Sequence, residues 1–310
     1  MDVVSKNIGC VIVTYNRLSM LRKALQAYEA LVVKPMYILV VDNHSQDGTR
    51  EYLEAWQHEK VDYQKIVVTL GENLGGAGGF HAGLEQALQL PAEWIWVADD
   101  DACPDKAAIQ YLDERIEQGT DGISALCAAV IENGEISIDH RRNLVRHGLT
   151  LQKEIIPLVA YNQKEFPLQI FSYVGAVLSK QTLEQVGLTK AEYFIHYDDT
   201  EHSIRVAQAG KILCIPAAKV EHFPPALQSN KPDWRFYYNA RNTYALEKSH
   251  YYGVYLWHVV SDLVDIGVHF LTGRKKNKYR VKWSALQDAV RGRMGLHKLY
   301  RPGWQPNFEA

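Results

Sequence analysis

Residues Trp94-Ile-Trp-Val-Ala-Asp-Asp-Asp101 form an apolar run that ends abruptly in three carboxylates. An apolar segment of about four to eight residues without polar alternation suits a strand buried on both faces, as in a parallel sheet between helices. The acids then stand at its carboxyl end, the edge where open α/β sheets bind ligands. Side chains repeat every second residue in extended chain, so Asp99 and Asp101 face one way and Asp100 another. Adjacent carboxylates repel. Either a hard divalent cation carrying phosphate oxygens neutralises them, or they form a solvated acidic loop capping the next helix at Pro104 and Asp105.

Two strand-loop-helix units precede this run. Ile8–Thr14 reads as a strand, Tyr15-Asn16-Arg17 as a loop and Ser19–Leu31 as a helix. Tyr37–Val41 is a second strand, followed by Asp42-Asn-His-Ser45, the turn residues Gln46–Thr49 and a helix to His58. Successive units of this kind imply a parallel sheet with right-handed crossovers and a nucleotide site at its edge. No GxGxxG follows the first strand and no GxxxxGK[ST] occurs, which argues against dinucleotide and P-loop sites. Thr14, Asn16 and Asp42 can hold a base and ribose; alternatively Asp42 and Asn43 only shape a turn. A third strand, Lys65–Leu70, leads to Gly71-Glu-Asn-Leu-Gly-Gly-Ala-Gly-Gly-Phe80 and a helix through Leu90. Its glycines let the backbone approach a ligand and aim amides at phosphate, or simply make a flexible loop.

Beyond the acidic strand, the pattern predicts a helix over 105–118, a strand over 122–131, a turn at 132–135 and irregular chain over 136–168. In that irregular chain Arg141, Arg142, Arg146 and His147 either meet an anionic acceptor or are solvated. Phe171–Leu178 reads as a strand. Asp198 and Glu201 have capping-box spacing before a helix from Thr200 to Ala209, whereas Asp199 has no evident capping duty. Lys211–Ile215 and Ala218–Phe223 are extended, the latter carrying His222, a packed core residue or a metal ligand.

The ordered set Thr14-Tyr-Asn-Arg17, Val41–Thr49, Asn73-Leu-Gly-Gly-Ala-Gly-Gly-Phe80 and Asp99-Asp-Asp101 resembles family 2 glycosyltransferases of the GT-A fold, over at least residues 8–225. The Asn73–Phe80 segment is similar to that of bacterial galactofuranosyltransferases, with rhamnosyltransferases as close relatives. The resemblance implies an α/β fold with a mostly parallel nucleotide-binding sheet flanked by helices. It also implies a UDP-sugar donor held by Thr14, Asn16, Arg17, Asp42, Asn43, Asn73, Gly75, Gly76, Gly79 and Asp100. Asp99, Asp101 and His222 would bind Mn2+ or Mg2+, and one imidazole with two carboxylates suits Mn2+ better than Ca2+. The Asp-Asp-x-Glu segment places a catalytic base at Asp199, with Tyr197, Asp198 and Glu201 towards the acceptor. Trp234–Thr243 resembles the family's Tyr-Tyr-x-x-Arg-Asn segment, in which Arg241 supports the site, binds a lipid diphosphate or packs.

The expected organisation is a catalytic domain over 1–230 and a helical, basic extension over 231–310. Nine Lys or Arg against one acid between Leu271 and Tyr300, beside an amphipathic aromatic segment over 251–270, look like attachment to an anionic membrane surface, or a solvated basic helix. The longest apolar candidate, Val254–Leu271, is broken by His258, Asp262, Asp265 and His269, so no membrane span is expected. A net charge of -2 gives no reason to expect nucleic-acid binding, and four dispersed cysteines without a CxxC pair fit a reducing cytosol. The expected reaction is inverting sugar transfer to a glycan or polyprenyl-diphosphate-linked glycan at the inner face of the cell membrane. Because the chain starts close to its first strand, addition of one or a few residues is expected rather than polymerisation. The competing readings are a rhamnosyltransferase using a dTDP-sugar and an inactive nucleotide-binding scaffold at the membrane. A sugar nucleotidyltransferase would need a glycine-rich loop directly after the first strand.

Overall fold

The structure is a computed structural model that describes residues 3–224, 233–272 and 276–305. Arg274 and Lys275 of the basic run, and the expected domain boundary at 230/231, lie outside the described residues.

The apolar runs form strands as the pattern predicts: β1 (Ile8–Thr14), β2 (Tyr37–Asp42), β3 (Gln64–Thr69) and β4 (Trp94–Asp99) pair in parallel in the order β3-β2-β1-β4. Helix α1 (Leu18–Glu29) joins β1 to β2, α2 (Thr49–Gln57) joins β2 to β3, and α3 (Gly75–Ala87) carries the chain back across to β4. Alternation along β1 explains the layering. Ile8, Cys10 and Ile12 bury against Leu21, Leu25, Leu53 and Trp56 on one face, while Val11 and Val13 meet Phe80 and Leu84 of α3 on the other. The strand order reverses at β1, so the crevice between the carboxyl ends of β1 and β4 is the topological switch point.

After β4 the chain turns sharply through Asp100 and Asp101 into β5 (Ala102–Pro104), and α4 (Ala108–Glu117) follows, three residues later than predicted. Strand β6 (Ile123–Glu132) continues the sheet. The region expected to be irregular instead contains an antiparallel hairpin, β7 (Arg141–His147) and β8 (Thr150–Ile155), turning at Gly148 with φ +61°. Arg141 is neither solvated nor available to an acceptor: it is fully buried and donates to the carbonyls of Ala128, His140 and Val174. A short edge strand, β9 (Phe166–Leu168), follows.

The strand predicted over 171–178 is two strands. β10 (Ile170–Phe171) joins the hairpin and β11 (Ala176–Ser179) enters the large sheet antiparallel between β4 and β6. Gly175, at φ +71°, separates them. Helices α5 (Lys180–Val186) and α6 (Asp198–Ala209) lead to β12 (Lys211–His222), a single long strand where two were expected. β12 pairs parallel with β6 and antiparallel with β5. Helices α7 (Trp234–His250), α8 (Tyr252–Thr272) and α9 (Lys276–Val290) pack around aromatic cores of their own, one of which takes in Phe194 from the segment before α6.

Candidate active site

Sheet register brings the acids and His222 together. In the β5/β12 pairing His222 lies opposite Ala102, and Phe223 N donates to Asp101 O at 3.0 Å. The His222 Nε2 atom consequently stands 3.5 Å from Asp101 Oδ1, although the two are 121 positions apart in sequence. The acids are neutralised in part from within the chain. Arg17 pairs with Asp100 at 3.1 Å and with Asp101 at 2.7 Å, and Thr14 Oγ1 donates to Asp100 Oδ2 at 2.7 Å. Thr14, Arg17 and Asp100, expected at the nucleotide, are thus engaged with one another. Burial, then the charges of Asp101 and Asp100, push the Asp99 carboxyl well up. Burial also lifts Asp100, to about 6, against the pull of Arg17. Burial opposes ionisation of Asp101 too, but His222 and Arg17 outweigh it and hold this carboxyl below its usual range.

Behind His222 lies a relay that sequence reasoning missed. His222 Nδ1 meets Glu132 Oε1 at 2.6 Å, His140 Nε2 meets the same oxygen at 3.0 Å, and His140 Nδ1 meets Ser172 Oγ at 2.7 Å. Ser137 Oγ donates to the other Glu132 oxygen at 2.8 Å. Donor atoms of Glu132, His140 and His222 lie within 4.8 Å of one another, as in a metal site. However, two ligand atoms on one tetrahedral ion stand about 3.3 Å apart. The shorter 2.6 Å separation is that of a hydrogen bond, and it leaves Nε2 of His222 as the nitrogen facing Asp101. Of the expected ligands, Asp101 and His222 face one another: Asp101 Oδ1 is buried without a hydrogen bond, 3.5 Å from His222 Nε2, a carboxylate–imidazole pair of the kind that suits a divalent cation.

On the nucleotide side most expected residues build the wall. Asn16 Oδ1 accepts from Gln46 N, and Asn43 bonds to Asn73 Oδ1, Leu74 N and Gly75 O. Asp42 is the exception: Oδ1 accepts from Ser45 N at 3.0 Å, while Oδ2 is buried and unpartnered. The glycine-rich stretch is not a loop. It is the start of α3, where a Cβ on Gly79 would come within 2.5 Å of Val13, and one on Gly83 within 2.4 Å of Val11. Gly79 is therefore a packing residue that lets α3 lie on β1, which corrects its expected role at the donor. Gly76 has open space around its Cα.

Asp199 sits in the first turn of α6 as expected, its Oδ1 accepting from Thr200 N at 2.5 Å and from Thr200 Oγ1 at 3.1 Å. Lys153 of β8 donates to the same Thr200 hydroxyl at 2.8 Å, and its ammonium lies 4.5 Å from the centre of the Tyr197 ring. Asp198 is buried, and burial followed by the charge of Asp199 pushes its carboxyl up to about 8. The capping box expected from Asp198 and Glu201 does not form: the helix begins at Asp198 after Tyr197 in the left-handed region. Glu201 is fully buried and binds Lys190, Arg205 and His250, so it anchors the helix and does not face an acceptor. Asp199 is linked to the relay through its neighbours. Ser203 Oγ bridges the Asp199 carbonyl and Phe171, adjacent to the Ser172 that holds His140.

A parallel sheet with acids and a histidine at its switch point, and a further carboxylate on a helix beyond, is the arrangement of GT-A nucleotide-sugar enzymes. Solved structures agree on the fold. The crystal structure of GalNAc-T7 with UDP, GalNAc and Mn2+ matches at a TM-score of 0.59 and 15% identity, covering 79% of this chain and 48% of that one. The mannosyltransferase PcManGT of Pyrobaculum calidifontis, in complex with GDP-Man and Mn2+, matches at 0.53 and 15%, covering 94% and 89%. The chain belongs to glycosyl transferase family 2, whose description matches residues 10–187, and it is an enzyme, a hexosyltransferase with a nucleotide-sugar donor. Among curated relatives, galactofuranosyltransferase GlfT1 of Mycolicibacterium smegmatis is 29% identical over 66% of each chain. The Mycobacterium tuberculosis GlfT1 is 27% identical over 97% of this chain and 99% of its own. The dTDP-rhamnosyl transferase RfbF of Shigella flexneri is 27% identical over 94% and 98%.

Proposed function

We propose that this enzyme is an inverting, metal-dependent galactofuranosyltransferase that moves galactofuranose from its UDP donor to a glycan or polyprenyl-diphosphate-linked glycan. The observation that carries the site reading is a pair of buried carboxylate oxygens that accept no hydrogen bond at the sheet's carboxyl edge, Asp42 Oδ2 and Asp101 Oδ1, the latter facing His222 Nε2 at 3.5 Å. A buried acceptor left without a donor costs about 1–3 kcal/mol, and a ligand that supplies an N–H or hydroxyl at one and a cation at the other removes both costs. Asp42 is the nucleoside contact in this reading. Asp99, Asp101 and His222 hold Mn2+ or Mg2+, which when bound neutralises negative charge on the diphosphate. Asp199 takes the proton from an acceptor hydroxyl as that oxygen attacks the anomeric carbon opposite the departing UDP. The diphosphate leaves as an anion, so no second carboxyl group is required, unlike in glycosidases.

The donor sugar rests on the near full-length relation to GlfT1 and on the Asn73–Phe80 motif. A rhamnosyl donor is the second reading, favoured by an equal identity to RfbF. Residues 231–310 form the basic extension, and peripheral contact through α8 with an anionic membrane places the enzyme at the cytoplasmic face, near a lipid-linked acceptor. The test is a donor screen with Mn2+ and a lipid-linked acceptor, read by nucleotide release and product mass. Turnover of dTDP-rhamnose in preference to UDP-galactofuranose replaces the first reading with the second. Asp199→Asn is expected to lower kcat by about 10²–10⁴ with nucleotide binding retained; normal turnover by this variant rules out Asp199 as the base.

A further inference from the structure

The chain reaches Asp199 through an arch of unusual backbone. Phe194, His196 and Tyr197 all have φ of 65°. Side-chain-bearing residues rarely occupy this region, and such strain persists only where surrounding structure enforces it. At Phe194, ψ is -58° and Ile195 N donates to Tyr193 O at 2.8 Å, which is a γ-turn of the strained, positive-φ kind. The arch turns its carbonyls inward, onto one side chain from the helical extension. Asn242 of α7, fully buried, places its Nδ2 atom 3.0 Å from Tyr193 O, 2.9 Å from Ile195 O and 2.8 Å from His196 O. Arg241 completes the clamp. It donates to Tyr193 O at 3.0 Å and, through Nε, to Asn242 Oδ1 at 3.0 Å, which fixes the orientation of the amide.

The opposite side of the arch is seated on the donor half of the molecule. Phe194 O accepts from Ala77 N at 3.1 Å, in the first turn of α3. It lies where a Cβ on Gly75 would approach to 2.0 Å. The last carbonyl of the arch, Tyr197 O, accepts from Glu201 N at 2.8 Å and starts α6. Arch, clamp and helix start are therefore one hydrogen-bonded unit, with Asp199 two residues beyond the arch.

We propose that Asn242 is a positioning residue for the catalytic carboxylate: by holding the left-handed arch over 193–197 it sets where α6 begins and hence where Asp199 stands. This rests on the reading of Asp199 as the base. Asn242 itself touches neither donor nor acceptor, and the proposal makes the helical extension part of the catalytic apparatus. The amide suits this place because its two N–H groups point at the carbonyls of Ile195 and His196, with Tyr193 O shared with Arg241, whereas the isosteric carboxylate has no donor and would repel all three oxygens.

The test uses the full chain carrying Asn242→Asp and, as a smaller neutral replacement, Asn242→Ser, with Asp199→Asn as reference. Steady-state kinetics, UDP affinity by calorimetry and thermal melting are measured on each. The expected result is a split: kcat falls at least tenfold in Asn242→Asp and less in Asn242→Ser, while UDP affinity and the donor KM stay within about twofold. A merely structural role would lower active fraction and apparent nucleotide capacity together. The proposal is overturned if folded Asn242→Asp keeps kcat within twofold, if kcat and UDP affinity fall in parallel, or if neither variant folds. Full turnover by Asp199→Asn instead removes the reading of the base on which the proposal stands, whatever position 242 does.

Discussion

Glu132 decides which nitrogen of His222 is offered to the cleft. Its carboxylate takes the Nδ1 side at 2.6 Å and is itself braced by His140 and Ser137, so a turn of the ring would break a hydrogen bond to a carboxylate that is held in place. A histidine ligand fixed by a carboxylate in this way typically loses about 10–100-fold in metal affinity when the carboxylate is changed. Glu132→Gln is accordingly expected to weaken Mn2+ binding by that factor with little change in melting temperature, measured by titrating the free ion with electron paramagnetic resonance. Wild-type affinity in the variant would show that Glu132 does not orient a ligand. The places of Asp99 and Asp101 at a strand end and of Asp199 in the first turn of α6 were legible from local pattern, whereas His222 was singled out only through the family resemblance. Glu132 and His140 were not legible. The Glu132-Asn-Gly-Glu135 run reads as a turn, and the partner of Glu132, His222, lies 90 positions away, a proximity that the β6/β12 pairing creates. Arg141 and Glu201 misled for the opposite reason: charged residues suggest solvent or ligand, yet both are fully buried among partners that satisfy them.

At the scale of elements, α3 is where local propensity and tertiary packing disagree. A glycine-dense stretch is a poor helix former and reads as a loop. It is nevertheless helical because Gly79 and Gly83 let the helix lie directly on Val13 and Val11 of β1, with burial outweighing the entropic cost. Gly75 has a different reason, at φ +73° and against Phe194 O. Gly75→Ala is expected to cost at least the roughly 1–2 kcal/mol of a left-handed alanine, seen as a lower melting temperature, with arch displacement adding to it; an unchanged melting temperature would refute the close contact. The helical extension carries a titratable contact of its own. His258 stands 2.8 Å from Glu247 and 3.2 Å from Asp262. Burial works against its protonation, but these two carboxylates prevail and raise it from 6.5 to about 9. A raised histidine stabilises the fold fully below its unfolded pKa, and that contribution is lost as pH climbs through the folded one. The gap in melting temperature between the wild type and His258→Gln should therefore be widest below pH 6.5 and close by about pH 9. A gap that is flat across this window would mean the histidine is not charged in the folded state.

For the molecule as a whole, a parallel sheet with acids at its carboxyl edge and a helical extension follow from the alternation of apolar runs with amphipathic segments, whereas the strand order and the antiparallel β11 between β4 and β6 do not. The docking of that extension onto the 193–197 arch does not, since it depends on Asn242 meeting carbonyls 46 to 49 positions away. The surface of the extension poses the remaining question. Helix α8 is 21 residues long and by length and composition could cross a membrane, although four polar residues interrupt its apolar sequence. The structure gives those interruptions partners: Asp262 binds Lys282 at 2.6 Å and the Tyr244 hydroxyl, and His258 binds Glu247, which fixes one face of α8 to α7 and α9. Leu256, Trp257, Val260, Leu263, Val264 and Val268, at helical spacing, remain exposed on the outside. A continuous apolar face of this kind marks an interaction surface, and a helix held along one side is suited to lie in the plane of a bilayer interface. Vesicle sedimentation can decide. The wild type should partition onto anionic vesicles more than onto neutral ones, and increasingly weakly as salt rises, because cations near the helix contribute through a screened attraction. Val260→Ser with Val264→Ser should reduce that partitioning by roughly a hundredfold or more, since each loses most of the roughly 1.5–3 kcal/mol available from burying an aliphatic side chain, while leaving kcat on a water-soluble acceptor unchanged. Equal partitioning by the double variant would mean that the exposed face of α8 does not insert into lipid and serves a protein partner or a second copy of the chain.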